Sequence, residues 1–221
     1  MNNKIISAQG LTKAYRRGSE EIFALKEVSF VVSRGEFVAI VGPSGSGKTT
    51  LLNLLGCLDT PAEGNLRING IEISGLKEKV LVKLRRENIG FIFQQFFLLP
   101  TLTVRENIEL PLLFSQKSNY KGRIDKITEL VGLKARAQHL PHQLSGGEMQ
   151  RVAIGRALIN EPEIILADEP TGNLDSATSQ KIYELFQELY NQGLTLIIVT
   201  HNIDLAKKAH RVIYLTDGKI G

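Results

Sequence analysis

The chain has one cysteine in 221 residues, Cys57, so no disulfide framework can form. It lies in the apolar stretch Leu54 to Leu58, which reads as helix, and packing is its expected role rather than reactivity or metal binding. No apolar run reaches the roughly eighteen residues of a membrane span. Met1 to Ile6 lacks the apolar core of a secretory signal. Together these absences predict a chain on the cytoplasmic side that reaches a membrane only through a partner. Net charge is +4, with both signs interspersed and no basic stripe, which argues against nucleic acid as a partner. The mild excess reads as solubility, or as weak attraction to an anionic membrane surface. Internal repeats, low-complexity tracts and disordered linkers are also lacking.

What is present suffices for one large domain with its own core, or two small ones. Three short runs rich in β-branched residues predict buried parallel strands: Phe37–Val41, Ile164–Ala167 and Leu194–Thr200. Each is followed by a helix-like segment, the α/β pattern, whose ligand site belongs at the carboxyl ends of the strands. Before them, Ile5–Gln9 and Val28–Val32 alternate like half-buried strands, with Gly18 and Gly35 as turns. Leu66–Ile73 predicts a hairpin through Asn69-Gly70. From about Thr103 to Asn160 helical periodicity replaces strands, most clearly at Glu129–Leu133 and Glu148–Leu158. The expected organisation is a single domain over 1–221, with 1–94 and 161–221 as core and about 95–160 as a helical subdomain.

Gly42-Pro43-Ser44-Gly45-Ser46-Gly47-Lys48-Thr49 fits GxxxxGK(S/T), after a predicted strand and before the helical run Thr50–Leu55. Its glycines let backbone amides turn inward on phosphates, and the helix start adds its positive dipole end. Lys48 is placed to reach β- and γ-phosphates and the Thr49 hydroxyl to ligate magnesium. A chance glycine-rich turn would not carry Lys-Thr in register between strand and helix. Asp168 follows the strand Ile164–Ala167, so its carboxylate emerges where that magnesium would sit. Glu169 is next, and in an extended segment neighbouring side chains point oppositely. One carboxylate can then serve the metal while the other faces an attacking water. Taken alone, the pair would read as a solvated turn.

Leu144-Ser145-Gly146-Gly147-Glu148 is a second glycine-rich turn, with Arg151 and a helical run after it. As local chemistry it is a helix N-cap, Ser145 capping and Glu148 three residues on. With the phosphate loop and the acidic pair it resembles the nucleotide-binding subunit of ATP-binding-cassette (ABC) transporters, over nearly the whole chain. The resemblance implies an α/β, P-loop NTPase fold: a parallel-sheet core with an N-terminal antiparallel β layer and an inserted helical subdomain. It implies ATP and Mg2+, hydrolysis of ATP, and two cassettes, identical or paired, stacked head to tail. Each ATP would lie between one phosphate loop (42–49, with Thr50) and Ser145, Gly146 and Gly147 of the other cassette. Separate integral-membrane permease subunits are implied as partners, with the cassette peripheral on the cytoplasmic face. The family often has glutamine at position 148, and no role is assigned to Glu148.

The same resemblance gives Tyr15 the task of stacking on adenine, although a lone tyrosine there would also suit packing. Gln94 matches the glutamine that touches magnesium and the attacking water, with Gln95 one place away. Asn173–Asp175 is similar to the loop that crosses the dimer seam, where Asp175 would couple the two sites, and Asp175 also suits the N-cap of a helix from Ser176. His201 matches the histidine that holds the γ-phosphate and orients Glu169. Phe96–Thr103 and Ile108–Phe114 read either as core or as a groove for a coupling helix of the permease. Gly56–Asp59, Phe93–Pro100 and Glu169–Asp175 are most similar to the branch serving lipoprotein release and macrolide export. A non-transport ABC ATPase of a cell-division or envelope-regulating membrane complex would look nearly identical. A DNA-repair ATPase would carry a long heptad insertion, a translation factor two cassettes, and a small-molecule kinase would leave Leu144–Glu148 and His201 without a task.

Overall fold

The computed structural model describes residues 3–18, 20–115 and 122–221. Two long strands, β1 (Lys4–Arg17) and β2 (Glu20–Ser33), pair antiparallel, far beyond the short windows that alternation alone marks. β3 (Phe37–Val41) is buried along its whole length and leads through the 42–47 loop into α1 (Lys48–Leu55). β4 (Glu63–Ile68) and β5 (Ile71–Glu72) form the expected hairpin. Its turn residues Asn69 and Gly70 both have positive φ, 53° and 78°, as this tight connection requires. α2 (Glu78–Asn88) runs directly into β6 (Ile89–Ile92). Then come α3 (Val104–Glu109), a 3₁₀ turn at Leu110–Phe114, α4 (Arg123–Leu130) and α5 (Gly146–Leu158). β7 (Ile164–Asp168), α6 (Ser176–Asn191), β8 (Thr195–Thr200), α7 (Ile203–Ala206), β9 (Arg211–Thr216) and β10 (Lys219–Ile220) complete the chain.

The strands form two sheets. β2-β1-β4-β5 is antiparallel, and β10-β9-β3-β8-β7-β6 is parallel from β9 to β6 with β10 antiparallel at one edge. The parallel sheet thus has strands in β6 and β9 beyond the three expected. Period 2 divides most of its residues between two large apolar clusters, while Ala39 and Val41 join Ala206 of α7 in a small third one. Val38, Ile40, Leu166, Ile197 and Val199 join the leucines of α1 and the inner face of the antiparallel sheet (Ile6, Leu11, Leu66). Phe37, Ile165, Ala167 and Ile198 join Val152 and Ile154 of α5 and Ile182 and Phe186 of α6. The central strands β3, β7 and β8 are buried almost throughout because both faces of the sheet are covered there.

Two local expectations are corrected. Glu129–Leu133 is helical only in its first two residues: α4 ends at Leu130, because Gly132 adopts a left-handed conformation (φ 68°) that stops the helix. Cys57 lies just past α1, after Gly56, with φ 54°. It is 1% exposed within the first cluster, and burial raises its thiol pKa to about 11, so it packs as expected.

Candidate active site

At the carboxyl ends of β3, β7 and β8 lies a cavity of about 680 Å³. From the phosphate loop it is lined by Ser44, Gly45, Gly47, Lys48, Thr49 and Thr50, and across from them by Gln94, Asp168, Glu169 and His201. These segments are far apart in sequence. They meet because β3 pairs with β8 and β8 with β7, in register through Val41–Thr200 and Asp168–Val199.

The loop is shaped by contacts only glycine allows. A Cβ on Gly42 would stand 2.0 Å from the Leu215 carbonyl oxygen and 2.7 Å from Ser46 Oγ. Gly47 has φ 101° and caps α1 with no side-chain bond, so the first amides of the helix lack partners and are free for an anion. Lys48 is buried, its ammonium donating to the carbonyls of Gly42 and Pro43 at 2.8 Å each. The lysine thereby arches back over its own loop, with its charge above the turn of amides.

The Thr49 hydroxyl donates to Asp168 Oδ2 at 3.1 Å. Burial, foremost, and the charge of Glu169 raise the Asp168 carboxyl above its ordinary pKa; the Thr49 hydrogen bond and the charge of Lys48 oppose this. A carboxylate held at that cost gains by a cation beside it. Gln94 Nε2 donates to Asn173 Oδ1 at 3.2 Å, leaving its side-chain carbonyl as a further oxygen donor, while Asn173 Nδ2 donates to the Gln94 backbone carbonyl at 3.0 Å. A hydroxyl, a carboxylate and an amide oxygen lining one cavity suit Mg2+, a hard cation that keeps waters and shares substrate phosphates. Gln94, not Gln95, lines the cavity.

Glu169 departs from the expected extended geometry. Asp168 is the last residue of β7, but Glu169 has φ 44°, a left-handed conformation uncommon outside glycine. Its side chain diverges from Asp168 because the chain turns, not because a strand alternates. Its amide still donates to the Val199 carbonyl at 2.9 Å, which ties the turn to β8. The carboxylate accepts from Thr200 Oγ1 at 3.0 Å and lies 2.8 Å from His201 Nδ1. His201 is exposed, so the imidazole is free to meet a ligand while one nitrogen stays on Glu169. Thr200 and Asn173 hold Glu169 and Gln94, and Ala24 lines the cavity; the sequence placed Asn173 only in the seam loop and gave Thr200 and Ala24 no role. Ala24 carries no chemical signal at all, since only the folding of β2 over the loop brings it there.

Tyr15 and the Ser145-Gly146-Gly147 turn are not among the residues lining this cavity. Ser145 caps α5: its hydroxyl accepts the Glu148 amide at 3.3 Å, and Glu148 Oε2 accepts the Ser145 amide at 2.8 Å. A Cβ on Gly147 would stand 2.3 Å from Thr178 Cγ2, so α5 and the start of α6 meet at glycine distance. Asp175 caps α6, accepting from the Thr178 amide at 2.9 Å and its hydroxyl at 2.6 Å.

The model of the ABC transporter family matches residues 25–172, from β2 through the phosphate loop and the α5 turn to the acidic pair. The chain belongs to that family. It is an ATP-binding cassette and an ATPase, and its fold is that of the solved cassettes. A cassette of Methanocaldococcus jannaschii, MJ0796, solved as a dimer in a post-hydrolysis state bound to ADP and Pi, superposes with a TM-score of 0.89 at 48% identity over 97% of this chain and 96% of that one. The ABC transporter ATP-binding protein YvrO of Bacillus subtilis is 47% identical over 98% of this chain and 95% of its own length. The macrolide export ATP-binding/permease protein MacB of Bdellovibrio bacteriovorus is also 47% identical, the match covering 98% of this chain and 33% of MacB.

Glu148 thus has a local task in the cassette, the N3 member of a capping box, which glutamine fills equally well. Hydrogen bonds from Ser145, first from its backbone amide, hold the Glu148 carboxyl below its ordinary value of 4.5. A depressed carboxyl contributes stability that is present above the ordinary value and lost as pH falls through the folded one. Glu148→Gln keeps both capping bonds without the titration. We expect ATPase activity within about twofold of the native chain and a shallower loss of stability on acidification below about pH 4.5, followed by circular dichroism.

Proposed function

We propose that this cassette hydrolyses ATP in a site completed by a second cassette and uses the resulting motion to drive integral-membrane permease subunits. One observation carries the reading: the cavity gathers Lys48, Thr49, Gln94, Asp168, Glu169 and His201, whereas the glycine-rich, Ser145-capped start of α5, a helix end suited to an anion, does not line it. Head-to-tail stacking of two copies, or of paired cassettes, would bring Ser145, Gly146 and Gly147 of one against the triphosphate held by 42–49 of the other. The MJ0796 cassette, so similar in sequence, is solved as a dimer.

In this mechanism the loop amides and Lys48 bind the β- and γ-phosphates, and the partner's Ser145 helix end meets the γ-phosphate from the other side. Thr49, Gln94 and Asp168 would hold Mg2+, which when bound neutralises phosphate charge. Glu169 takes the proton of the attacking water, with Thr200 and His201 fixing its two oxygens. His201 contacts the γ-phosphate through its exposed edge, and Gln94 orients the water. Catalysis is then mostly positioning and charge neutralisation.

A groove of about 740 Å³ flanked by Leu58, Val82, Phe91, Phe93, Phe97 and Phe114 supports the coupling role. Phe97 and Phe114 are 59% and 69% exposed, more apolar surface than a free domain favours. A short helix of a permease would fill it, holding the cassette peripherally at the cytoplasmic face. No helix among the described residues is long and apolar enough to cross a membrane. Similarity to MacB favours export or envelope transport as the driven process.

Complementation tests the shared site. Lys48→Ala and Ser145→Arg chains should each be inactive alone, yet regain activity on mixing, because the mixed pair carries one intact site. Equal mixing should restore up to about a quarter of native turnover, half the pairs having one of two sites. No recovery at any ratio would exclude a site built from two chains.

A further inference from the structure

Outside the cavity, a carboxylate and an ammonium converge on one aromatic ring. Tyr15, on β1, is 43% exposed, and its hydroxyl donates to Asp59 Oδ2 at 3.1 Å. Asp59 Oδ1 accepts from Lys13 Nζ at 2.6 Å, and the same ammonium donates to the Thr60 carbonyl at 2.8 Å. Lys13 is thereby held over the Tyr15 ring, 5.4 Å from its centroid. Asp59 is itself fixed, with Oδ1 accepting the Thr60 amide at 2.7 Å and its own amide directed at the Asn53 carbonyl at 3.4 Å. Asn53 belongs to α1, the helix whose opposite end faces the cavity. Asp59 therefore links the phosphate-binding helix, through its backbone amide, to a ring on the other sheet, through its carboxylate.

This arrangement exceeds what packing asks of an exposed tyrosine. A surface ring normally samples several rotamers, and ordering it costs free energy when it stacks on a ligand. Here the hydroxyl is anchored in advance, and the cation over one face leaves the opposite face for a π-system. Partial burial disfavours the Asp59 charge, yet hydrogen bonds from Lys13, Thr60 and Tyr15 with the charge of Lys13 hold its carboxyl below the ordinary value.

We propose that Asp59 is the positioning residue of a purine platform: through the Tyr15 hydroxyl it holds the ring ready to stack on the base of a nucleotide whose phosphates lie on the 42–49 loop. The proposal rests on reading Tyr15 as that platform, and the experiment separates the two. ATP affinity is measured by calorimetry on the full chain, beside inhibition by inorganic tripolyphosphate, which carries the phosphates without a base. Asp59→Ala and Tyr15→Phe should each weaken ATP about fivefold, the effect of one lost hydrogen bond, with tripolyphosphate inhibition within about twofold of native. Tyr15→Phe leaves the ties of Asp59 to Lys13 and Thr60 in place, so it reads the hydroxyl bond even if Asp59→Ala folds poorly. The double variant should be no weaker than either single one. Native ATP affinity in Tyr15→Phe, or equal weakening of ATP and tripolyphosphate, would overturn the positioning role. Tyr15→Ala with native ATP affinity would instead remove the platform itself, and the proposal with it.

Discussion

Glu169→Gln binds ATP as tightly as the native cassette and turns over at least about a hundredfold more slowly, the usual contribution of a positioned base. The amide keeps an oxygen for the Thr200 hydroxyl and adds no strain at φ 44°, since glutamine and glutamate have the same backbone demands. What it loses is the capacity to take a proton. The phosphate loop, Lys48 and Thr49 are untouched, so affinity persists while the product-forming step stalls. If closure of two cassettes follows ATP binding and opening follows hydrolysis, the variant accumulates as a closed dimer. A ligand shifts such an equilibrium only by its differential affinity for the two states, so the dimer should form with ATP and not with ADP. Steady-state phosphate release and analytical ultracentrifugation check both halves. Retention of more than about a tenth of native turnover would remove Glu169 from the role of base. A strictly monomeric ATP complex at high concentration would count against the shared site.

Gly47→Ala is expected to weaken ATP at least tenfold and to lower hydrolysis about a hundredfold without unfolding the chain. Two costs add. At φ 101° an L-residue is strained by about 1–2 kcal/mol, and each 1.4 kcal/mol that must be relieved on binding is a factor of ten in affinity. The new Cβ would also stand 2.2 Å from the Ala24 carbonyl oxygen, a backbone atom of β2 that cannot swing aside like a flexible side chain. The loop must therefore move off β2, carrying the first amides of α1 and Lys48 with it. Gly45→Ala is the internal control, because φ is 80° but nothing stands within 4 Å of its Cβ. It should show the strain without the collision and lose less. The far-ultraviolet spectrum should be retained in both, since Leu51, Leu52, Leu54 and Leu55 still anchor α1 in the core. Native ATP affinity in Gly47→Ala would refute the account of the loop.

Much of the site was legible because its residues announce themselves in short local patterns. The phosphate loop needs strand, glycines, Lys-Thr and helix in immediate succession, so Gly42–Thr49 could be read directly. Asp168 and Glu169 follow a run of four apolar residues that reads as strand. The α5 cap was visible from Ser145 and Glu148, and the Asp175 cap from its place before Ser176. Less legible was anything whose cause lies across a sheet. β6 is four residues long and abuts α2 with no turn former between them, so neither periodicity nor punctuation isolates it. The conformation of Glu169 is dictated by its tie to Val199 on a neighbouring strand, which an extended reading of the segment misses. Gln94 and Gln95 are equivalent as letters, and only the course of the chain after β6 turns Gln94 to the cavity. Asp59 offers no signal of its own, its significance arising where the end of α1 approaches β1.

By itself the sequence determined that this chain binds a nucleotide through a phosphate loop in an α/β fold, because backbone amides at a helix start can be exposed to phosphate only by that local grammar. Which carboxylate faces which partner, which glutamine reaches the cavity, and that the α5 turn stands apart from the loop were decided by the tertiary structure. Those relations depend on the pairing of β3, β8 and β7 and on the covering of both sheet faces, and such long-range contacts have no counterpart in the order of neighbouring residues.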